Sequence, residues 1–93
     1  MIRSFADVES QRLAGGQRSR KLPPEIQAVA RRKLRLIEAA VLLGDLRVPP
    51  GNRLEQLSGD WLGFFSIRIN SQWRICFRWR DGEAFDVQIR DYH

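Results

Sequence analysis

From Phe64 to Arg90 the chain alternates apolar and polar residues through three stretches, Phe64 to Asn70, Trp73 to Trp79 and Ala84 to Arg90. A period of two is the mark of strands with one buried face, so the three predict an antiparallel meander. The odd positions Phe65, Ile67, Ile69, Trp73, Ile75, Phe77, Trp79, Phe85, Val87 and Ile89 are all apolar. One sheet face therefore needs a cover. The even positions Ser66, Arg68, Asn70, Arg74, Cys76, Arg78, Asp86, Gln88 and Arg90 are mostly polar and share the opposite face, four of them arginines.

The cover is legible upstream. Ile26, Ala30, Leu34, Ile37 and Val41 follow helical spacing, with Arg31, Arg32, Arg35 and Glu38 on other faces. Pro24 suits a first turn and Gly44 a stop, so the spacing predicts a helix over 24–43. Ile2 to Phe5 reads as a short strand and Ala6 to Leu13 as a short helix. Gly15-Gly16 breaks the pattern, and Gln17 to Lys21 is a basic stretch without apolar anchors, read as an exposed loop. Pro49-Pro50-Gly51 marks a connecting loop, and Arg53 to Leu57 alternates weakly before the turn Ser58-Gly59-Asp60. The expected fold is α+β, with N-terminal helices on one face of a small, mainly antiparallel twisted sheet. A chain of 93 residues with 43% hydrophobic content suits one domain, 1–93.

Parity sets the expected register. Asp81-Gly82 invites a two-residue hairpin, but that turn pairs core positions with surface ones. A three-residue loop, Arg80-Asp81-Gly82, instead pairs Phe77 with Phe85, Ile75 with Val87 and Trp73 with Ile89. Asn70-Ser71-Gln72 is a three-residue loop by the same logic. Arg68 then faces Arg74, with Gln88 completing the row. Like charges directly opposite destabilise a sheet, so unless carboxylates neutralise them the pair makes an anion site.

Sixteen basic residues, fourteen of them arginine, stand against eleven acidic ones, for a net charge of +5. The guanidinium fork matches phosphate, and nucleic acid is the partner this balance favours. An acidic protein or an anionic membrane would satisfy the same charge. The lone Cys76 forms no internal disulfide and no apolar run opens the chain, which predicts a cytoplasmic protein. No apolar stretch approaches the roughly 20 residues that cross a bilayer, so no membrane-spanning segment is expected; with nucleic acid favoured by the charge, no membrane is counted among the expected partners.

RNA cleavage by attack of a ribose 2′-hydroxyl needs proton removal, proton donation to the leaving oxygen and neutralisation of the phosphorane charge, and it needs no metal. The chain offers arginines for the charge, Glu55 or Asp91 as base, and Tyr92 and His93 as proton donors or acceptors. Each has a plainer reading. His93, the last residue, is ordinarily a solvated end. Tyr92 can be a sheet-edge aromatic, although its even parity puts it on the arginine face, where a ring can stack on a base. Glu55 can simply pair with Arg53 or Arg68.

Trp73 and Trp79 share the parity of the isoleucines and read as core rather than as a stacking platform. Trp61 lies in a turn region and is assignable either way. Arg31-Arg32-Lys33 reads as a solvated helix face. Asp, Glu, Cys and His do not cluster with metal-ligand spacing, and there is no glycine-rich phosphate loop before a helix and no serine elbow, so no cofactor is expected.

Three blocks in order, Pro-Pro-Gly-Asn-Arg-Leu-Glu (49–55), Ser-Ile-Arg-Ile-Asn-Ser-Gln-Trp-Arg-Ile-Cys-Phe (66–77) and Asp91-Tyr92-His93, resemble the HigB toxins of the RelE/ParE superfamily. The resemblance covers most of the second half of the chain, with weaker agreement through the helix. It implies a toxin of a type II toxin–antitoxin pair that cleaves mRNA in the A site of the 70S ribosome. It further implies inhibition by a HigA-like helix-turn-helix antitoxin, in a heterotetrameric complex that meets operator DNA only through the antitoxin. By position, Arg74 looks like the arginine that stabilises the scissile phosphate, His93 like the terminal-strand histidine, and Glu55 like the glutamate of the YoeB type. Asp91 and Tyr92 belong to the terminal triplet; Arg53, Arg68, Arg78, Gln88 and Arg90 would bind RNA or phosphate. The lysines and tyrosine on which RelE relies are not reproduced. A non-catalytic ParE-like toxin, an RNA-binding module and a basic subunit that docks an acidic partner are the alternatives.

Overall fold

The computed structural model describes residues 1–91. Its elements run α1 (Val8–Ala14), α2 (Pro24–Ala39), two 3-10 turns (Leu43–Arg47 and Pro50–Asn52), β1 (Glu55–Gln56), a third 3-10 turn (Gly59–Trp61), β2 (Phe65–Arg68), β3 (Trp73–Arg80) and β4 (Glu83–Asp91). The strands form one antiparallel sheet in the order β1-β2-β3-β4, and both helices lie against it, the α+β arrangement the alternation called for. No helix among the described residues is long and apolar enough to cross a membrane.

The core fills the space between one sheet face and α2. Ile26, Ala30, Leu34 and Ile37 of α2 are buried with Ile67, Ile75, Phe77, Val87 and Ile89. Trp73 and Trp79 pack on its margin, as their parity predicts. Helix α2 ends at Ala39 and not at residue 43, and Val41 is 70% exposed instead of in the core stripe. The reason is Asp45, whose carboxylate accepts from Val41 N–H at 3.0 Å and Leu42 N–H at 2.9 Å. Those two amides are thereby lost to the helix before Gly44 is reached. The same two bonds hold the Asp45 carboxyl below its usual range.

The N-terminal segment joins β4 through two parallel bridges, Ile2 with Ala84 and Phe5 with Val87. It covers what would otherwise be an open sheet edge. The loop after α1 is tied down as well, at Ser19. That buried residue bonds Glu9 through its hydroxyl at 2.7 Å and exchanges bonds with the Gln27 side chain at 3.1 and 2.8 Å. Arg31 donates to the carbonyls of Leu13 and Gln17, so it pins the loop as well as solvating the helix.

The β2–β3 register is the expected one, with Phe65 opposite Phe77, Ile67 opposite Ile75 and Arg68 opposite Arg74. The β3–β4 register differs. Its turn is the two-residue Asp81-Gly82, both with positive φ (53° and 77°), and it pairs Arg80 with Glu83 and Arg78 with Phe85. A bulge between Cys76 and Arg78 then shifts the pairing so that Ile75 meets Ile89 and Arg74 meets Arg90. The extra residue sits beside Asp86, whose φ is 53°. Parity is conserved by the bulge, not by the loop. The corrected consequence is that Ala84 is buried in the core and Phe85 lies opposite Arg78.

Candidate RNA-binding face

The register brings three arginines into one row across three strands, Arg68, Arg74 and Arg90. Arg90, and not Gln88, completes it. Gln88 belongs to the next row, opposite Cys76, which faces Ser66, which faces Glu55.

Arg74 is the best-held member and is 8% exposed. Its Nε donates to Ser66 Oγ at 2.7 Å, and one terminal nitrogen donates to the Arg53 carbonyl at 2.6 Å and, more weakly, to the Ser66 carbonyl at 3.4 Å. The other terminal nitrogen lies 3.8 Å from Glu55 Oε1. That is an ion pair too long for a hydrogen bond, so this end of the fork keeps donors for a further acceptor. Glu55 thus pairs with Arg74, not with Arg53 or Arg68. Among the described residues, Arg68 and Arg90 have no carboxylate within ion-pair distance. One carboxylate against three guanidinium groups leaves the row positive.

The loop that carries Arg53 is fixed from inside. Asn52 is fully buried; its amide donates to the carbonyls of Leu46 and Val48, each at 3.2 Å, and its Oδ1 accepts from Lys33 Nζ at 2.7 Å. Arg53 follows in a left-handed conformation, φ 46°, which turns its carbonyl onto Arg74. Burial lowers the Lys33 pKa, and the field of Arg32, Arg68 and Arg74 lowers it further. Cys76, beside Arg74 on the sheet, is fully buried, and its thiol is pushed up to about 11 because burial outweighs the pull of Arg74 and Arg90.

Towards the β3–β4 turn the same face carries aromatic rings. The Arg78 guanidinium lies 4.4 Å from the Phe64 ring centre, Arg80 4.7 Å from Phe85, and Arg90 5.5 Å from Trp61. Asp86 stands 3.5 Å from Arg78, and the Gln88 amide donates to the Asp86 carbonyl. Asp91 lies opposite Trp73, at odd parity with the core-facing residues and outside the arginine row, and accepts from Gln72 Nε2 at 2.9 Å. Tyr92 and His93 lie outside the described residues.

Ser66 and Asn52 carry no functional mark of their own in the sequence, and Lys33, which the pattern assigns to a solvated helix face, is instead buried because its ammonium donates to Asn52 inside the fold. Ser66 was legible in principle, one pair along the ladder from Arg74 on the same face. Nothing in the local sequence links Asn52 to Lys33, 19 positions away. Among the described residues, no three His, Cys, Asp or Glu side chains stand together as metal ligands would.

Comparison with known proteins fits this geometry. Residues 3–93 match the family model described as the RelE-like toxin of the type II toxin–antitoxin system HigB. Toxin HigB-1 of Vibrio cholerae is 44% identical over 73 residues, 78% of this chain and 77% of that protein. An uncharacterised protein of Haemophilus influenzae is 37% identical over 80% of this chain and 73% of its own length. A protein of Proteus vulgaris named Endoribonuclease HigB is 34% identical over 66% of this chain and 65% of its own length. The chain belongs to the HigB-like family, the RelE-like toxins of type II toxin–antitoxin systems.

Proposed function

We propose that this HigB-like toxin is an endoribonuclease that cuts mRNA in the A site of the 70S ribosome and so halts translation in the cytoplasm. A HigA-like helix-turn-helix antitoxin holds it inactive in a heterotetramer, which contacts operator DNA through the antitoxin alone. The observation that carries the reading is the row of Arg68, Arg74 and Arg90 on the open sheet face, with Arg74 immobilised by Ser66 and the Arg53 carbonyl. A fixed guanidinium aimed at a phosphate is the electrostatic part of phosphoryl chemistry, and the name of the Proteus vulgaris relative fits it.

The reaction is attack of a 2′-oxygen on the adjacent phosphorus, with loss of the 5′-oxygen of the next nucleotide. Arg74 neutralises the phosphorane through the end of its fork that faces Glu55. Glu55, beside Arg74, takes the 2′-hydroxyl proton; it is favoured over Asp91, which shares the register of Trp73 and binds Gln72. His93 returns a proton to the leaving oxygen, Tyr92 orients it or stacks on a base, and Asp91 supports the triplet. Arg53, Arg68, Arg78, Gln88 and Arg90 bind the strand. The chemistry as drawn requires no metal.

Primer extension on mRNA after induced expression is the test, with codon-associated cuts expected. Growth arrest without such cuts, or full toxicity retained by both Arg74→Ala and His93→Ala, would establish the ParE-like non-catalytic alternative instead.

A further inference from the structure

The mechanism leaves a group of side chains on the sheet's open face unused. Trp61, Phe64 and Phe85 are half-buried, and each has an arginine laid on its ring. Trp61 meets Phe64 edge-on, ring centres 5.0 Å apart at 86°, so the rings continue one another. They begin beside Arg90, a member of the arginine row, and run towards the Asp81-Gly82 turn. There a cleft of about 340 Å³ is lined by Gly63, Arg78, Phe85 and Asp86 among others.

Two details show that the strip is built. Gly63 has φ 93°, a conformation that favours glycine, and a Cβ there would crowd Arg78 Nη1 at 3.0 Å, on the guanidinium that lies over Phe64. The bulge at Asp86 is what turns Phe85 out of the core and onto this face. Aromatics that alternate with guanidinium groups match single-stranded nucleic acid, because every base offers a π-face and every linkage a phosphate. A planar guanidinium resting on a ring occupies the place a base would take. When a base displaces it, the cation is released towards the neighbouring phosphate.

We infer that Trp61, Phe64 and Phe85, with Arg78, Arg80 and Arg90, form a stacking track that binds the nucleobases of single-stranded RNA flanking the bond at Arg74. The inference rests on the RNA-cleaving reading and extends it to a strip that reaches the β3–β4 turn.

The test is binding of a single-stranded oligoribonucleotide with 2′-O-methyl sugars, which cannot be cut by the proposed route, followed by fluorescence anisotropy. Trp61→Leu should weaken binding by about tenfold, within the range of base–aromatic stacking, and leave its salt dependence unchanged. Trp61→Phe should restore most of it. An NMR titration of the unaltered protein, free of any folding concern, should move the Trp61 indole resonance. Parent-level binding by Trp61→Leu with an unmoved indole signal, while Arg68→Ala still weakens binding, overturns the track and leaves the RNA-cleaving reading intact. A Trp61 that responds to the antitoxin and not to RNA overturns it also. If the parent protein cuts no mRNA while still arresting growth, the functional reading itself fails.

Discussion

The physics of single residues on this face is decided by burial. Asn52 answers two backbone carbonyls and one ammonium group. Removing its side chain leaves the Lys33 charge buried without its bond, a loss of the kind that costs about 3 kcal/mol. Asn52→Ala should therefore lower the urea midpoint and, by loosening the Arg53 carbonyl, reduce cleavage as well. An unchanged midpoint would sink this account. Cys76 makes an independent prediction. Its folded pKa is raised from 9.0 to about 11, so the unfolded chain loses its proton first as pH rises. The associated stability is fully present below pH 9 and declines towards pH 11. Lys33, lowered from 10.5, contributes with the opposite sign, so the two must be separated. Urea unfolding of parent and Cys76→Ala across that alkaline range should show the parent losing stability relative to the variant.

At the scale of elements, the β3–β4 hairpin holds the main lesson. Gly82 has φ 77°, and a Cβ there would meet the Val41 carbonyl oxygen at 3.2 Å. Gly82→Ala should cost about 1–2 kcal/mol from the left-handed conformation alone. Asp86→Val, which puts a β-branched residue at φ 53°, should be comparably harmful. Asp86→Gly should stay near parent stability, since it relieves the backbone while losing one half-exposed ion pair. Thermal denaturation ranks all three, and a stable Asp86→Val would show that the bulge is unimportant. The alternation of residues 64–90 was enough to read the sheet, its core face and the pairing of Arg68 with Arg74. It was not enough for β4, because parity arguments assume an unbroken ladder, and the bulge breaks that assumption while disturbing the pattern only at Ala84 and Phe85. The signals were present in Asp81-Gly82 and in Ala84, an apolar residue at an even position. Likewise Gly44 looked like the helix stop, but a carboxylate one residue later captured the amides first. Local composition does not reveal which of two nearby breakers acts.

For the molecule as a whole, the sheet separates two environments. One face is closed by α2 and the core; the other collects cations in a row anchored at Arg74 that no equal number of carboxylates offsets. A net charge of +5 would attract RNA anywhere on the surface, and what matters is whether the attraction is localised. Each phosphate contact on a single strand contributes a slope of about −0.7 to the dependence of log affinity on log salt. Replacing Arg68, which has no carboxylate partner among the described residues, should flatten that slope by about one contact. Arg31 is a matched control of equal charge, because its guanidinium serves the carbonyls of Leu13 and Gln17 in the helical layer. Arg31→Ala should lower stability through the α1–α2 connection and leave the slope alone. A salt series on the 2′-O-methyl oligoribonucleotide separates the two cases. If both variants flatten the slope equally, RNA is held by diffuse charge, and the arginine row loses its claim to position the strand.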